Sequence, residues 1–176
     1  MTPALGDGAP RVHSQGPLEG DAKTTVGKAL IEGLEAPAAY IKGDDFWFFL
    51  TKPKSDRRTN FQAIMRAMFR AAAALAADDY QVVLDFSMPP WFLERAASRV
   101  ADTSIHFVVL RPSLEACIGR AAAREVGRIA DYAPYRELYD LFDAPDRHIV
   151  RNDDLAAADA ARIIHEGLAS GRFRFP

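Results

Sequence analysis

The feature that most constrains this chain is an alternation. Short, unbroken apolar runs such as "YQVVLDFS" and "SIHFVVLRP" take turns with longer segments whose apolar residues recur at helical spacing. A run that is apolar at every position suits a strand buried on both faces, and the intervening helices supply the two covering layers, so the pattern predicts a parallel sheet between helices. From Thr24 to Leu34, Val26, Ala29, Leu30 and Leu34 mark one helix face, and "AAYIKGDDF" reads as a short strand ending in acids. After the polar, basic loop "TKPKSDRRT", the residues Phe61, Ile64, Met65, Met68, Phe69, Ala72 and Leu75 mark a long helix over 60–77, with Thr59 or Asn60 as its cap. The helical "WFLERAASRVA" follows Pro89 and Pro90, and "SIHFVVLRP" is the clearest strand. Ser113 is placed to cap "SLEACIGRAAAR", "PYRELYDLF" is a shorter helix and "RHIVRND" a last strand. A final helix, "DLAAADAARIIHEGLAS", has acids at its start, where they suit the helix dipole. The segment "APRVHSQ" is a poor candidate for a buried strand.

Length bounds this layout: 176 residues, 49% of them hydrophobic, suffice for one globular domain over 1–176, with 1–14 as a weakly defined N-terminal segment. A net charge of -2 without a long basic run lacks the footprint of a duplex-binding protein, so nucleic acid is not an expected partner. No apolar run reaches the roughly 18 residues of a membrane span, and the N-terminus lacks the basic start and apolar centre of a secretory signal. The expectation is a cytoplasmic protein with no membrane partner. Cys117 is the single cysteine and reads as buried and inert, and the four histidines show no metal-ligand spacing.

In a parallel α/β sheet, ligands bind at the carboxyl ends of the strands, and the turn before the first long helix is where a phosphate would lie. There the chain carries "QGPLEGDAKTT". Backbone N–H groups and the helix dipole attract phosphates, a lysine reaches the terminal ones, and the next hydroxyl ligates Mg²⁺. Set against GxxxxGKS/T, however, Pro17 replaces the first glycine and Ala22 the second. Pro17 offers no N–H, and Ala22 adds a Cβ where glycine is usual. From the stretch alone, a phosphate loop and a capped helix start both remain open.

The stretches "KTTVGKALIEGLEAPAAYIKGDDFW", "YQVVLDFSMPPWFL" and "HFVVLRPSLEACIGRAAAR" together resemble the kinase-type P-loop NTPases. The likeness is to bacterial small-molecule kinases of the shikimate kinase, gluconate kinase and chloramphenicol phosphotransferase kind, over about Lys23 to Leu168. It implies a three-layer fold with about five parallel strands, and an ATP- and Mg²⁺-dependent transfer of the γ-phosphoryl group to a small-molecule hydroxyl acceptor by a monomer or homodimer. By the same resemblance, Lys23 is the phosphate lysine and Thr24 the Mg²⁺ hydroxyl. Gly16, Gly20, Asp21, Ala22 and Thr25 form the rest of the nucleotide loop, Gly20 aligning with a family glycine and Gly16 serving as the first after a one-residue slip.

Asp44 is implied as the acid that orients the acceptor hydroxyl and takes its proton, and Asp85 as a second Mg²⁺ ligand. Arg120 and Arg124, four apart on one helix face, match lid arginines, with Arg128 in the same lid over about 120–133. Asp45, Trp47, Arg58 and Trp91 are candidates for the acceptor pocket, and Arg57 could pair with an anionic acceptor. Each has a plainer reading: Asp44 and Asp45 as turn caps, Asp85 as an acid at a strand end, the lid arginines as a solvated helix face, the aromatics as core. Arg111 reads as a structural support. The competing function is a non-catalytic descendant of such kinases, a binding or regulatory protein whose nucleotide affinity was weakened through Pro17 and Ala22.

Overall fold

The computed structural model describes residues 11–14, 21–88, 90–98, 100, 103–123, 133–142 and 144–175. At its centre lies β3 (Gln81–Phe86), buried at every position. Two parallel strands flank it, β1 (Arg11–Ser14) and β2 (Ala38–Lys42), with Val12 opposite Leu84 and Lys42 opposite Asp85. A second parallel ladder pairs β4 (Val109–Leu110) with β5 (Ile149–Val150), and β1 touches β4.

Side chains alternate across a strand, so each one feeds two cores. On one side, Val83, Val108, Leu110 and Val150 pack beneath α1 (Asp21–Glu32) and α6 (Ala157–Ala169), which lie against each other. On the other, Leu84, Phe86, Phe107, Val109 and Ile149 meet α2 (Arg57–Ala77) and α3 (Pro90–Ala97). The described strands are thus parallel members of a three-layer α/β fold. Leu84 is 1% exposed, and its truncation to Ala would cost about 2–5 kcal/mol through lost burial and the cavity left behind. The remaining helices are α4 (Leu114–Ala122) and α5 (Ala133–Asp140).

Several local expectations are corrected. The helix α2 begins three residues before 60, because Asp56 is its cap: the carboxylate accepts the N–H groups of Arg58 and Thr59, both at 3.0 Å, and the Thr59 hydroxyl, followed by these N–H groups, lowers its pKa. Asn60 is instead buried and ties down the preceding loop, its amide donating to the Lys54 carbonyl while its Oδ1 accepts the Lys54 N–H. At the other end Asp79 takes the left-handed conformation (φ 64°), and the Tyr80 and Asp79 N–H groups return to the Leu75 and Ala76 carbonyls. This is a Schellman ending with Asp in the usual glycine position.

The segment "APRVHSQ", unpromising by composition, supplies β1, because strand pairing needs only backbone groups. Conversely, "SIHFVVLRP" divides. Its second half pairs with β5, while its first half turns to the chain's C-terminal segment through the antiparallel bridge of His106 with Arg174. The Phe107 N–H donates to the Phe173 carbonyl, and the Phe175 N–H to that of Ile105. Ser113 caps α4 as expected, its Oγ accepting the Ala116 N–H at 3.1 Å. The final helix starts at Ala157, so Asp153 and Asp154 precede it and Asp159 is the acid of its first turn. Cys117 is buried, which pushes its thiol up to about 11. Among the described residues, no helix is long and apolar enough to cross a membrane.

Candidate functional site

Three elements converge on Asp85. Parallel pairing sets Tyr40 of β2 opposite Val83 and carries the β3 acid two residues further, on the face covered by α1. Asp85 is 5% exposed there. Its Oδ2 accepts two hydroxyls, from Tyr40 at 2.6 Å and from Thr24 of α1 at 3.2 Å. One residue before Thr24, the Lys23 ammonium donates to the Ser87 hydroxyl, just past the end of β3. Burial raises the Tyr40 hydroxyl pKa, and its bond to Asp85 adds to the rise, so the phenol is a proton donor to the carboxylate at neutral pH.

Two glycines permit this closeness. A Cβ on Gly27 of α1 would lie 2.8 Å from the Tyr40 ring, and one on Gly43 would lie 2.7 Å from both Met68 and Phe86. The second contact seats a 3-10 turn, Gly43–Phe49, against the end of β3. The turn presents Asp44, half-buried, and Asp45, exposed, immediately after β2. Asp45 pairs with Lys42 at 3.4 Å, a solvent-screened contact of small worth.

Further along the turn, Trp47 leans on the core with its ring 6.4 Å from that of Phe61, whereas Phe48 and Phe49 are 82% and 73% exposed. Arg58 stands exposed in the first turn of α2. Asp21 and Ala22 open α1, with Thr25 exposed beside them. Trp91 belongs to α3, but its side chain lies outside the described residues, as do Gly16, Gly20, Arg124 and Arg128.

Arg120 departs from the lid expectation. Its guanidinium donates to the carbonyls of Asn152 and Asp153, both at 2.7 Å, and so fastens α4 to the loop after β5. The Asp153 carboxylate in turn accepts the Ser113 N–H at 2.8 Å, and hydrogen bonding with the Ser113 side chain, then with this N–H, lowers its pKa. Arg111 lies 5.0 Å from the Tyr139 ring centre, and the Tyr139 hydroxyl bonds the Pro112 carbonyl, consistent with the structural reading of Arg111.

Thus Lys23, Thr24 and Asp85 come together, with Asp44 on the neighbouring strand end, while Arg120 is engaged elsewhere. Sequence reasoning missed Tyr40 and Ser87. The signal for Ser87 was its place directly after "VVLDF", whereas Tyr40 becomes visible only once β2 and β3 are paired.

A lysine and a hydroxyl at a helix start thus face a buried carboxylate at the carboxyl end of a parallel strand, groups of the kind that can bind phosphate and a hard cation. No protein-family model and no curated protein matches the sequence. Solved structures do match. A gluconokinase from Sinorhizobium meliloti superposes with TM-score 0.69 at 18% identity, covering 93% of either chain. The APS kinase of Mycobacterium tuberculosis, in complex with AMPPNP and APS, gives TM-score 0.69 at 16% identity, over 92% of this chain and 98% of that one. A tunicamycin resistance protein from Deinococcus radiodurans gives 0.71 at 14% identity, over 96% and 99%. The chain shares its fold with these structures, the gluconokinase and the APS kinase among them.

Proposed function

We propose that this protein is an ATP- and Mg²⁺-dependent kinase that phosphorylates a hydroxyl of a small molecule. The observation that carries the reading is the hydrogen bond from Thr24 to Asp85, which joins the start of α1 to the end of β3 beside Lys23. The donor set suits Mg²⁺: one buried carboxylate and one hydroxyl, both hard oxygen ligands, for an ion that keeps waters and phosphate oxygens as its other ligands. Among the described residues there is no larger cluster of acids, histidines or cysteines that would favour another metal. Bound between Thr24 and Asp85, Mg²⁺ would supply charge neutralisation at the phosphates.

In this reading Lys23 holds the terminal phosphates of ATP. Asp44 orients the acceptor hydroxyl and takes its proton as the oxygen attacks the γ-phosphorus, the bond to the β–γ bridging oxygen breaks, and ADP leaves. Asp45, Trp47, Arg58 and Trp91 border the acceptor's place, and Arg124 serves as the lid arginine. Tyr40 and Ser87 hold their partners, Asp85 and Lys23, in position.

ATP with Mg²⁺ at about 100 times its dissociation constant should stabilise the fold by roughly 2.7 kcal/mol, read as a rise in melting temperature that Lys23→Ala abolishes. Equal rises in both proteins would remove Lys23 from the site. No rise at millimolar nucleotide would favour a non-catalytic descendant, with Pro17 and Ala22 as the cause.

A further inference from the structure

Between α2 and α3 lies a cleft of about 530 Å³, open mouth included, that the proposed chemistry does not use. Its floor is apolar: Met65 and Phe69 are each 2% exposed and Phe92 is 8% exposed. Its walls carry three cations, Arg66 and Arg70 from α2 and Arg95 from α3. Positions 66 and 70 are four apart and therefore share one helix face, one turn above another.

An arginine on a helix commonly meets a carboxylate three or four residues away. That relief is missing here, because α2 contains four arginines and no Asp or Glu. Among the described residues, none of the Arg66, Arg70 and Arg95 guanidinium groups has an ion-pair or hydrogen-bond partner. Three like charges over a buried aromatic floor repel one another, and a chain of net charge -2 otherwise has acids with which to balance them.

We infer that this cleft binds a small amphipathic organic anion, with a phosphate, sulfate or carboxylate head on an aryl or short alkyl body. The guanidinium forks match the flat or tetrahedral oxygens of such a head in bidentate fashion, and Met65, Phe69 and Phe92 take the body out of water. The cleft lies along α2 beyond its first turn, whereas the nucleotide place is set by α1 and the end of β3. The inference therefore stands whether or not the kinase reading holds.

The test uses the full chain with phenyl phosphate as probe, and inorganic phosphate and phenol as its separated halves, followed by calorimetry and by amide chemical shifts. Phenyl phosphate should bind at least about tenfold more tightly than either half and shift the amides of Arg66, Arg70 and Arg95. The double variant Arg66→Gln/Arg70→Gln should weaken it by about tenfold or more. Arg95→Gln, from the opposite wall, should weaken it independently, and Lys23→Ala should leave it within about twofold. The arginines are surface side chains, so the variants should melt close to wild type. Phenyl phosphate affinity lost with Lys23 but kept without the arginines would move binding to the phosphate edge and overturn the inference. So would inorganic phosphate binding as tightly as phenyl phosphate, or no binding at up to about 10 mM.

Discussion

Two polar clusters stand at the carboxyl ends of their strands, and they use their side chains differently. Around β3, side chains bond to other side chains: Lys23 to Ser87, and both Thr24 and Tyr40 to Asp85. Around β4 and β5, side chains bond to the backbone. Arg120 holds the Asn152 and Asp153 carbonyls, and Tyr139 that of Pro112. A hydroxyl or ammonium bonded to another side chain can turn to an incoming ligand at the cost of one exchangeable bond. A guanidinium holding two main-chain carbonyls cannot leave without stranding them. The first arrangement suits a binding site and the second a brace.

The largest effect that separates the two clusters is expected on the side of the first. If the strand end carrying Asp44 does the chemistry, Asp44→Asn should lower turnover by on the order of 10² or more while leaving ATP affinity nearly intact, because the amide cannot take the acceptor's proton. Asp45→Asn, which removes only an exposed ion pair with Lys42, should be milder. Steady-state kinetics with any accepted hydroxyl compound would check the ranking, and a reversed order would transfer the role to Asp45.

Next in size is Arg120→Ala, which tests the brace. Two carbonyls lose their donor, so unfolding should become easier by about 1–3 kcal/mol, toward the lower end because the side chain is only half-buried. ATP affinity should stay within about twofold. Unchanged stability together with weakened nucleotide binding would break the comparison and return Arg120 to the lid.

The outline of the fold was legible because apolar continuity in "VVLDF" and helical spacing in 60–77 report burial directly, and burial is what the layers consist of. Pairing was less so. A strand such as β1 is held by backbone hydrogen bonds to β3, which leave no mark on side-chain composition, and the first half of "SIHFVVLRP" takes its partners from residues 173–175, nearly seventy positions later. Within the site, Lys23, Thr24, Asp44 and Asp85 were visible as polar groups at element boundaries. Tyr40 was not, since a tyrosine in a strand ordinarily reads as packing, and its hydroxyl acquires a meaning only when parallel pairing brings Asp85 to the same face. The carbonyls that Arg120 holds were hidden for the same reason: helical spacing tells which residues share a face, not which loop that face meets.

The smallest predicted effect concerns His148, which lies just before β5, outside both clusters, and is 3% exposed. Its Nδ1 lies 2.8 Å from the Phe107 carbonyl, and its Nε2 accepts the Arg147 Nε–H at 2.9 Å, so the ring is neutral with its proton on Nδ1. Burial lowers its pKa below the ordinary value of about 6.5; the Phe107 carbonyl opposes this, while the charges of Arg147 and Arg172 add to it. The unfolded chain therefore takes up a proton near pH 6.5 that the folded chain still refuses. His148 thus contributes stability that is fully present above about pH 6.5 and is lost as the pH falls from there through the folded-state pKa. Unfolding free energy should decline between pH 7 and 5, with a slope of at most about 1.4 kcal/mol per pH unit from this group, and the melting temperature should fall with it. In His148→Asn, whose amide keeps a donor for the Phe107 carbonyl, the decline should be shallower. Asp56 and Asp153, whose pKa values are lowered, begin to lose their contributions only at more acid pH, below about 4, whereas the His148 loss begins near pH 6.5. Parallel slopes in wild type and variant would mean that the imidazole protonates in place, and that this side chain, like Lys23 and Thr24, can exchange its partner.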